Sequence, residues 1–293
     1  MNDFRFRQPG IIGAGRVAQA LAVAFAPQAA APPFLWGRTP ENARTAATRV
    51  GAAAVPTIDR LMAECDIVAI AVADDALAGV VADMATVPLT KRARFIFHVS
   101  GRSGAAILEP LRDAGALTAA IHPAMTFTGD PQGEARRMAG ARFAITGSTA
   151  EATAKAKHVV ALLGGTAVKI AEEKRALYHA ALCHASNHLV TLIAGAAGAL
   201  KHAGVDDPSG LLAPLVRAAL ENSLGQGFAG LSGPLLRGDV QTIGGHLDAL
   251  EEHSPDLLPA YRAMARATLD ELKCAGATPS DRLTALDSLL AVP

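Results

Sequence analysis

Short apolar runs alternate with helical stretches through the first half of the chain. The runs Gly10–Gly13, Phe34–Gly37, Ala53–Val55, Ile67–Val72, Arg94–Val99 and Thr118–His122 are strand-sized. Between them, Val17–Phe25, Pro40–Val50, Ile58–Glu64, Leu77–Thr86 and Ala105–Ala114 carry apolar residues at helical spacing. This alternation predicts a parallel, doubly wound sheet. Two more runs, Arg142–Thr146 and Thr166–Ile170, flank a helical stretch at Ala150–Leu163 and read as an extension of that sheet. Pro9 and Gly10 stand where the first strand begins. Proline is tolerated at the first residue of a strand but not inside a ladder, so a short first strand is expected.

From Glu172 the pattern changes. Strand signals stop, and long helical stretches follow at Glu172–His202, Pro208–Gln226, Val240–Glu252, Leu257–Ala275 and Pro279–Leu290. The expected class is α/β: a Rossmann doubly wound, mostly parallel sheet over residues 1–170, followed by an all-α domain over 171–293. The helix Glu172–His202 is expected to cross from one to the other. Its small-residue stretch Ala194–Ala199 suits close approach of another backbone.

The segment Ile11–Ala18 reads Gly-x-Gly-x-x-Ala at the end of an apolar run and the start of a helix. That context makes a glycine motif a dinucleotide site. Gly13 allows the tight turn, Gly15 lets the backbone approach a pyrophosphate, and Ala18 lets helix pack on strand. Ala14, Arg16 and Val17 complete the expected contact set, with the helix N-terminus facing the phosphates. The second strand ends in Gly37-Arg38-Thr39 with no carboxylate. An acid there would select NAD through the ribose hydroxyl, whereas an arginine accepts the 2′-phosphate of NADP. Arg38 and Thr39 therefore point to NADP.

Open α/β sheets bind ligands beyond the carboxyl ends of their strands. Three strands end there: one in Val72-Ala73-Asp74, expected to contact the coenzyme, one in Ser100-Gly101 and one in His122-Pro123. His122 is a candidate for proton transfer at a carbonyl or imine, and Ser100 for bonding the same group. The alternatives are a structural histidine and a helix-capping serine. On the crossing helix, His179, Cys183 and Ser186 share one face with Asn187 at its edge, either a substrate contact or a polar interhelical network. Arg237, in the island Gly233–Asp239 followed by His246, is a candidate carboxylate anchor or half of an Arg–Asp pair closing a turn.

Composition narrows the partners. Lysine plus arginine and aspartate plus glutamate number 27 each, so nothing in the net charge of +0 favours nucleic acid or an anionic membrane. The start of the chain lacks the apolar core of a signal peptide, and the run Leu189–Leu200 is too short to span a bilayer. Cys65, Cys183 and Cys274 have no metal-ligand spacing and fit a reduced, cytoplasmic compartment; no metal is expected.

Taken together, Gly13–Ala18, Arg38-Thr39, His98–Gly101, His122–Phe127 and the Gly233–Leu247 island resemble a little-characterised bacterial family. Its members pair a Rossmann-like NADP-binding domain with a C-terminal helical domain of unknown function. It is similar to the 6-phosphogluconate dehydrogenase-type superfamily, with pyrroline-5-carboxylate reductase, ketopantoate reductase and prephenate dehydrogenase as relatives. The resemblance implies a helical domain used for homodimerisation and for the substrate pocket. Ser100 and His122-Pro123-x-Met125 are similar to elements of prephenate dehydrogenases, but Arg102 replaces their lysine. Asn187 matches the asparagine of β-hydroxyacid dehydrogenases and ketopantoate reductases, but Lys174 lies too far along the helix to match their lysine; His179 stands closer to that role. The expectation is an NADP-dependent oxidoreductase. It would move a hydride between nicotinamide and a small carboxylate-bearing carbonyl or imine, a 2-keto acid such as ketopantoate being one candidate. His122, Ser100, His179 and Asn187 would be catalytic, with Arg237 and Thr126 on the substrate. The rival expectation is a non-catalytic NADP-binding sensor or scaffold.

Overall fold

The computed structural model describes residues 6–88, 94–276 and 280–291. The predicted start of the last helix, Pro279, lies outside them. The chain divides into two compact units, Met1–Cys183 and His184–Pro293.

The first unit is built on an eight-stranded sheet of order β3-β2-β1-β4-β5-β6-β7-β8. The strands are β1 (Pro9–Ile12), β2 (Phe34–Trp36), β3 (Ala53–Ala54), β4 (Ile67–Ile70), β5 (Phe95–His98), β6 (Leu117–Pro123), β7 (Arg142–Gly147) and β8 (Thr166–Lys169). As expected, β1 is short, and Pro9 is its first residue, level with Ile67. β1 to β6 are parallel; β7 runs antiparallel to β6, Pro123 lying opposite Phe143, and β8 runs parallel to β7. Helices connect the strands: α1 (Arg16–Phe25), α2 (Pro40–Val50), α3 (Ile58–Glu64), α4 (Leu77–Ala85), α5 (Glu109–Asp113), α6 (Pro131–Met138) and α7 (Ala150–Leu162). The reversal at β7 follows from α6, which packs along α1 and returns the chain to the end of the sheet where β6 stops.

Both sheet faces are covered, so the central strands read as unbroken apolar runs rather than alternating ones. In β4, Ile67 and Ala69 join one core with Phe25, Phe97 and Ile121; Val68 and Ile70 join the other with Leu61, Met62 and Leu77. Each such large side chain stabilises the fold by roughly 1.5–3 kcal/mol. Cys65 belongs to the second core; burial, then Asp66, pushes its thiol up to about 12, so it packs as a small apolar group.

The helix α8 (Arg175–His202) is continuous. The second unit continues with α9 (Pro208–Gln226), α10 (Pro234–Arg237), α11 (Val240–His253), α12 (Leu258–Ala275) and α13 (Ser280–Ala291). Its core comprises Ile243 and Leu247 of α11, Leu269 and Leu272 of α12, and Leu286 and Leu290 of α13. By contrast, α9 buries only Pro208. The stretch Glu172–His202 is long and apolar enough, by length and composition, to cross a membrane, and none of its apolar window is buried in this chain. The unbroken run Leu189–Leu200 understates it, because Ala and Leu continue around the histidines at 179, 184 and 188.

Candidate functional site

A cavity of about 730 Å³ opens at the carboxyl ends of β1, β2 and β4. Gly13, Ala14, Gly15, Arg38 and Thr39 line it, with Val72 and Ala73 opposite. Local chemistry explains the shape. Gly13 has φ +127, and its N–H donates to the Trp36 carbonyl at 2.7 Å. A Cβ at Gly13 would lie 2.1 Å from the Ala71 carbonyl oxygen, so only glycine passes. Gly15 begins α1 with no side-chain cap and no acidic residue in the first turn, which leaves backbone N–H groups without a helical partner. Thr39 begins α2 without capping it through its hydroxyl. Arg38 is exposed beside it.

Three expected coenzyme contacts sit elsewhere. Arg16 turns its guanidinium to the Phe127 carbonyl at 3.3 Å, toward the loop after β6. Asp74 faces Arg102, Oδ2 to Nε 3.6 Å. Val17 packs against the core of the sheet. Asn42, which the sequence reading passed over, lines the cavity from α2.

A second constellation gathers at the ends of β5 and β6 and on the first turns of α8. His122 Nδ1 is 2.9 Å from the Tyr178 hydroxyl. The His122 and His179 rings stand edge to face with centres 5.9 Å apart. Gly101 lies against both: a Cβ there would be 2.4 Å from His179 Cδ2 and 3.0 Å from His122 Nε2. Cys183 Sγ is 3.7 Å from His179 Nε2. Burial pushes His122 down to about 4, Arg175 and His179 adding to the effect and Asp74 opposing it. His122 is therefore a neutral imidazole at physiological pH, able to accept at one nitrogen and donate at the other.

Ser100 is used locally. Its hydroxyl oxygen accepts from Ser103 N–H at 3.2 Å, the capping alternative, while its hydrogen remains able to donate. His98 is fully buried and organises this loop. Its Nδ1 accepts from Ser100 N–H at 3.1 Å, which leaves Nε2–H to donate to the Gly104 carbonyl at 2.7 Å. Burial, with Arg175 contributing, pushes His98 down to about 4, consistent with that neutral tautomer.

Thr126 is exposed on the loop after β6. The other two expected site residues, Asn187 and Arg237, belong to the second unit. There Asn187 Oδ1 accepts from Ser186 at 3.0 Å. Arg237 ends α10 with an exposed side chain, and its carbonyl accepts from Arg282 at 3.1 Å. Asp239 caps α11 through Thr242, so the island is a helix-to-helix turn. Two residues of the constellation around His122 were missed from sequence, Tyr178 and Arg175. The signal was present: Arg175, Tyr178 and His179 stand at i, i+3 and i+4, one face of a helix otherwise rich in Ala and Leu.

Residues 3–123 match the family model of a Rossmann-like domain, and residues 141–268 match that of the domain of unknown function DUF2520. The chain joins a Rossmann-like domain to a DUF2520 domain. The DUF2520 match begins before β7, so it includes the last two strands of the sheet as well as helices. No curated protein matches the chain by sequence. Solved structures match it in fold. A Bacteroides fragilis protein named as a candidate NADP oxidoreductase superposes with a TM-score of 0.74 at 22% identity, over 91% of this chain and 99% of that one. A reductive aminase from Aspergillus terreus, in complex with NADPH4, cyclohexanone and allyl amine, gives 0.68 at 19% identity, over 97% and 99%. The 1-pyrroline-5-carboxylate reductase of Streptococcus pyogenes gives 0.58 at 17% identity, over 97% and 96%.

Proposed function

We propose that this Rossmann-like and DUF2520 protein is an NADP-dependent oxidoreductase that reduces a carbon–nitrogen or carbon–oxygen double bond of a small metabolite. One observation carries the reading. The neutral His122, bonded to Tyr178 and flanked by His179 across Gly101, stands in the same unit as the glycine-lined cavity.

The residues fit the coenzyme. The uncapped N-terminus of α1 offers backbone N–H groups to a pyrophosphate, and Arg38 with Thr39 offers donors to a 2′-phosphate. When bound, the reduced coenzyme supplies hydride. The protein's own part is to hold the acceptor and provide the proton. His122 donates from Nε2, on its Gly101 side, to the substrate nitrogen or oxygen. His179 and the hydroxyl hydrogen of Ser100 orient the reacting group. Several fold neighbours are bound to or named for NADP and act on imines, ketones or amines; these substrate classes are the first to try.

Homodimerisation is part of the same proposal. Val190, Leu215 and Leu224 are each more than 60% exposed, and such apolar faces on a folded chain mark an interface. Light scattering on the purified protein gives the mass directly.

NADPH oxidation should be followed with cyclic imines, ketone-plus-amine pairs and 2-keto acids. Turnover is expected with at least one of these, falling about 100-fold or more in His122→Ala while NADPH binding is kept. Coenzyme binding without turnover on any of the panel would instead identify a coenzyme-binding sensor.

A further inference from the structure

We propose that Arg175 is a positioning residue whose buried charge sets the direction of a proton relay running from Tyr178 through His122 to the substrate. The proposal rests on the reductase reading above.

Arg175 opens α8 and is 1% exposed. Its guanidinium donates to three backbone carbonyls: Ser100 at 2.7 Å, Ser103 at 2.9 Å and Ala144 at 3.3 Å. Carbonyls satisfy its hydrogens but do not cancel its charge. The adjacent carboxylate, Glu172, bonds the amides of Ala105 at 2.8 Å and Ala106 at 3.3 Å and acts on Arg175 through space without a direct hydrogen bond to it. Burying a cation this way is costly, so a purely structural role is the less economical use of the position. An apolar side chain of similar volume would fill the space without the desolvation cost.

The charge is aimed at the relay. The guanidinium carbon stands 5.6 Å from the centre of the Tyr178 ring, and the Tyr178 hydroxyl is 2.9 Å from His122 Nδ1. A fixed cation acts on both partners in one sense: it disfavours an imidazolium and favours a phenolate. The groups facing His122 are Asp74 after β4, His98 on β5, and Arg175, Tyr178 and His179 on α8. Among these, Arg175 outweighs the opposing Asp74 in its effect on His122. On Tyr178, burial raises the phenol, and Arg175 pulls it back down.

A bound NADPH would supply the hydride, its own C–H bond breaking to leave NADP+, and the new C–H bond would form as the C=N or C=O π bond breaks. The electron pair moves to nitrogen or oxygen, which takes the proton from His122 Nε2. His122 Nδ1 takes the Tyr178 proton, so the imidazole stays neutral throughout. Tyr178 is left as a phenolate beside Arg175 and is reprotonated from water. Without the cation, an imidazolium at His122 would be less disfavoured and a phenolate at Tyr178 more so, although burial would still hold the imidazole toward its neutral form.

The test uses the full-length chain. Histidine Cε1–H signals are titrated by NMR without coenzyme, the His122 signal being assigned by its loss in His122→Gln. The His122 midpoint is expected near pH 4 in the natural protein, near that value in Arg175→Lys, and about one unit or more higher in Arg175→Met. In turnover with NADPH and 1-pyrroline as probe, Arg175→Met and Tyr178→Phe should each lower kcat about tenfold or more with the KM for NADPH unchanged. The double variant should fall little further, because both act on one relay. Arg175→Lys should restore most of the rate. An unchanged His122 midpoint in Arg175→Met overturns the proposal, as does full turnover in Tyr178→Phe. Should Arg175→Met fail to fold, Tyr178→Phe and Arg175→Lys still decide it. A shifted midpoint with no turnover on any imine or carbonyl would sink the reductase reading, leaving the electrostatic effect of Arg175 standing by itself.

Discussion

The two units bury their apolar residues differently. The sheet unit closes on itself: Phe25, Phe97, Phe143 and Ile11 are almost wholly inaccessible. In the helical unit, α11 to α13 share a core, while Leu215 is 66% and Leu224 80% exposed on α9. The difference teaches that the sheet unit covers its own apolar residues, whereas α9 leaves leucines uncovered, the face on which the proposed homodimer contact rests.

Mutations should expose that asymmetry of burial. Phe97→Ala removes a ring packed between Phe25 and Phe95, with ring centres 6.4 and 5.9 Å away. It should cost about 3–5 kcal/mol in denaturant unfolding, enough to unfold much of the population. Leu224→Ala should cost under about 0.5 kcal/mol at low protein concentration. At high concentration its effect should grow, and Leu215→Glu with Leu224→Glu should give a monomer by light scattering. If both doubly substituted and natural chains have the same mass and the same concentration-independent Tm, these leucines are not an interface.

Acid should separate the units next. His98 and His122 are held down to about 4 by burial, against an ordinary value near 6.5. Unfolding raises both back, so the unfolded chain binds more protons between these values. Each histidine's contribution is therefore fully present above about pH 6.5 and is lost as pH falls toward 4, by roughly 3 kcal/mol for the buried His98. Stability measured from pH 7 to 4 should drop steeply for the sheet unit, and His98→Gln should flatten the slope even though it weakens the protein at neutral pH. A slope unchanged in His98→Gln would move the acid sensitivity to other groups.

A smaller and more local effect is expected at Gly101. Gly101→Ala pushes a methyl into the His122 and His179 rings without touching the glycines of the coenzyme cavity. Turnover should fall about 100-fold while NADPH binding stays within twofold. Equal losses in binding and turnover would mean that the loop, not the ring pair, had moved.

Much of this was legible before the fold was in view. Apolar runs in β4 and β5 declare buried strands because both faces are covered, and Gly-x-Gly-x-x-Ala declares the turn because Gly13 alone can pass the Ala71 carbonyl. Strand ends brought His122 and the Ser100 loop to one rim for the same topological reason. What sequence could not give was side-chain direction. Arg16 stands in the motif yet turns to Phe127, and Ser100 spends its acceptor on Ser103. Tyr178 was hidden because its role comes from pairing with a histidine 56 residues away, a separation no local pattern encodes. The exposed faces of α8 and α9 were equally silent, since periodicity marks an apolar stripe but not what covers it.

Selectivity for the extra phosphate is the finest distinction the sheet unit should draw. Arg38 is exposed, so its attraction for a 2′-phosphate acts through partly screened solvent and should be modest. Its planar fork can still bond two phosphate oxygens at once, which a lysine cannot copy. Arg38→Ser should weaken NADPH binding about 10- to 30-fold, roughly 1.4–2 kcal/mol, and leave NADH binding unchanged. The gap between the two coenzymes should also narrow as salt is raised in the natural protein and hardly at all in the variant. A ratio of affinities indifferent to both the substitution and salt would transfer selection to uncharged donors at the rim, Thr39 and Asn42, where hydrogen-bond geometry rather than charge would have to discriminate.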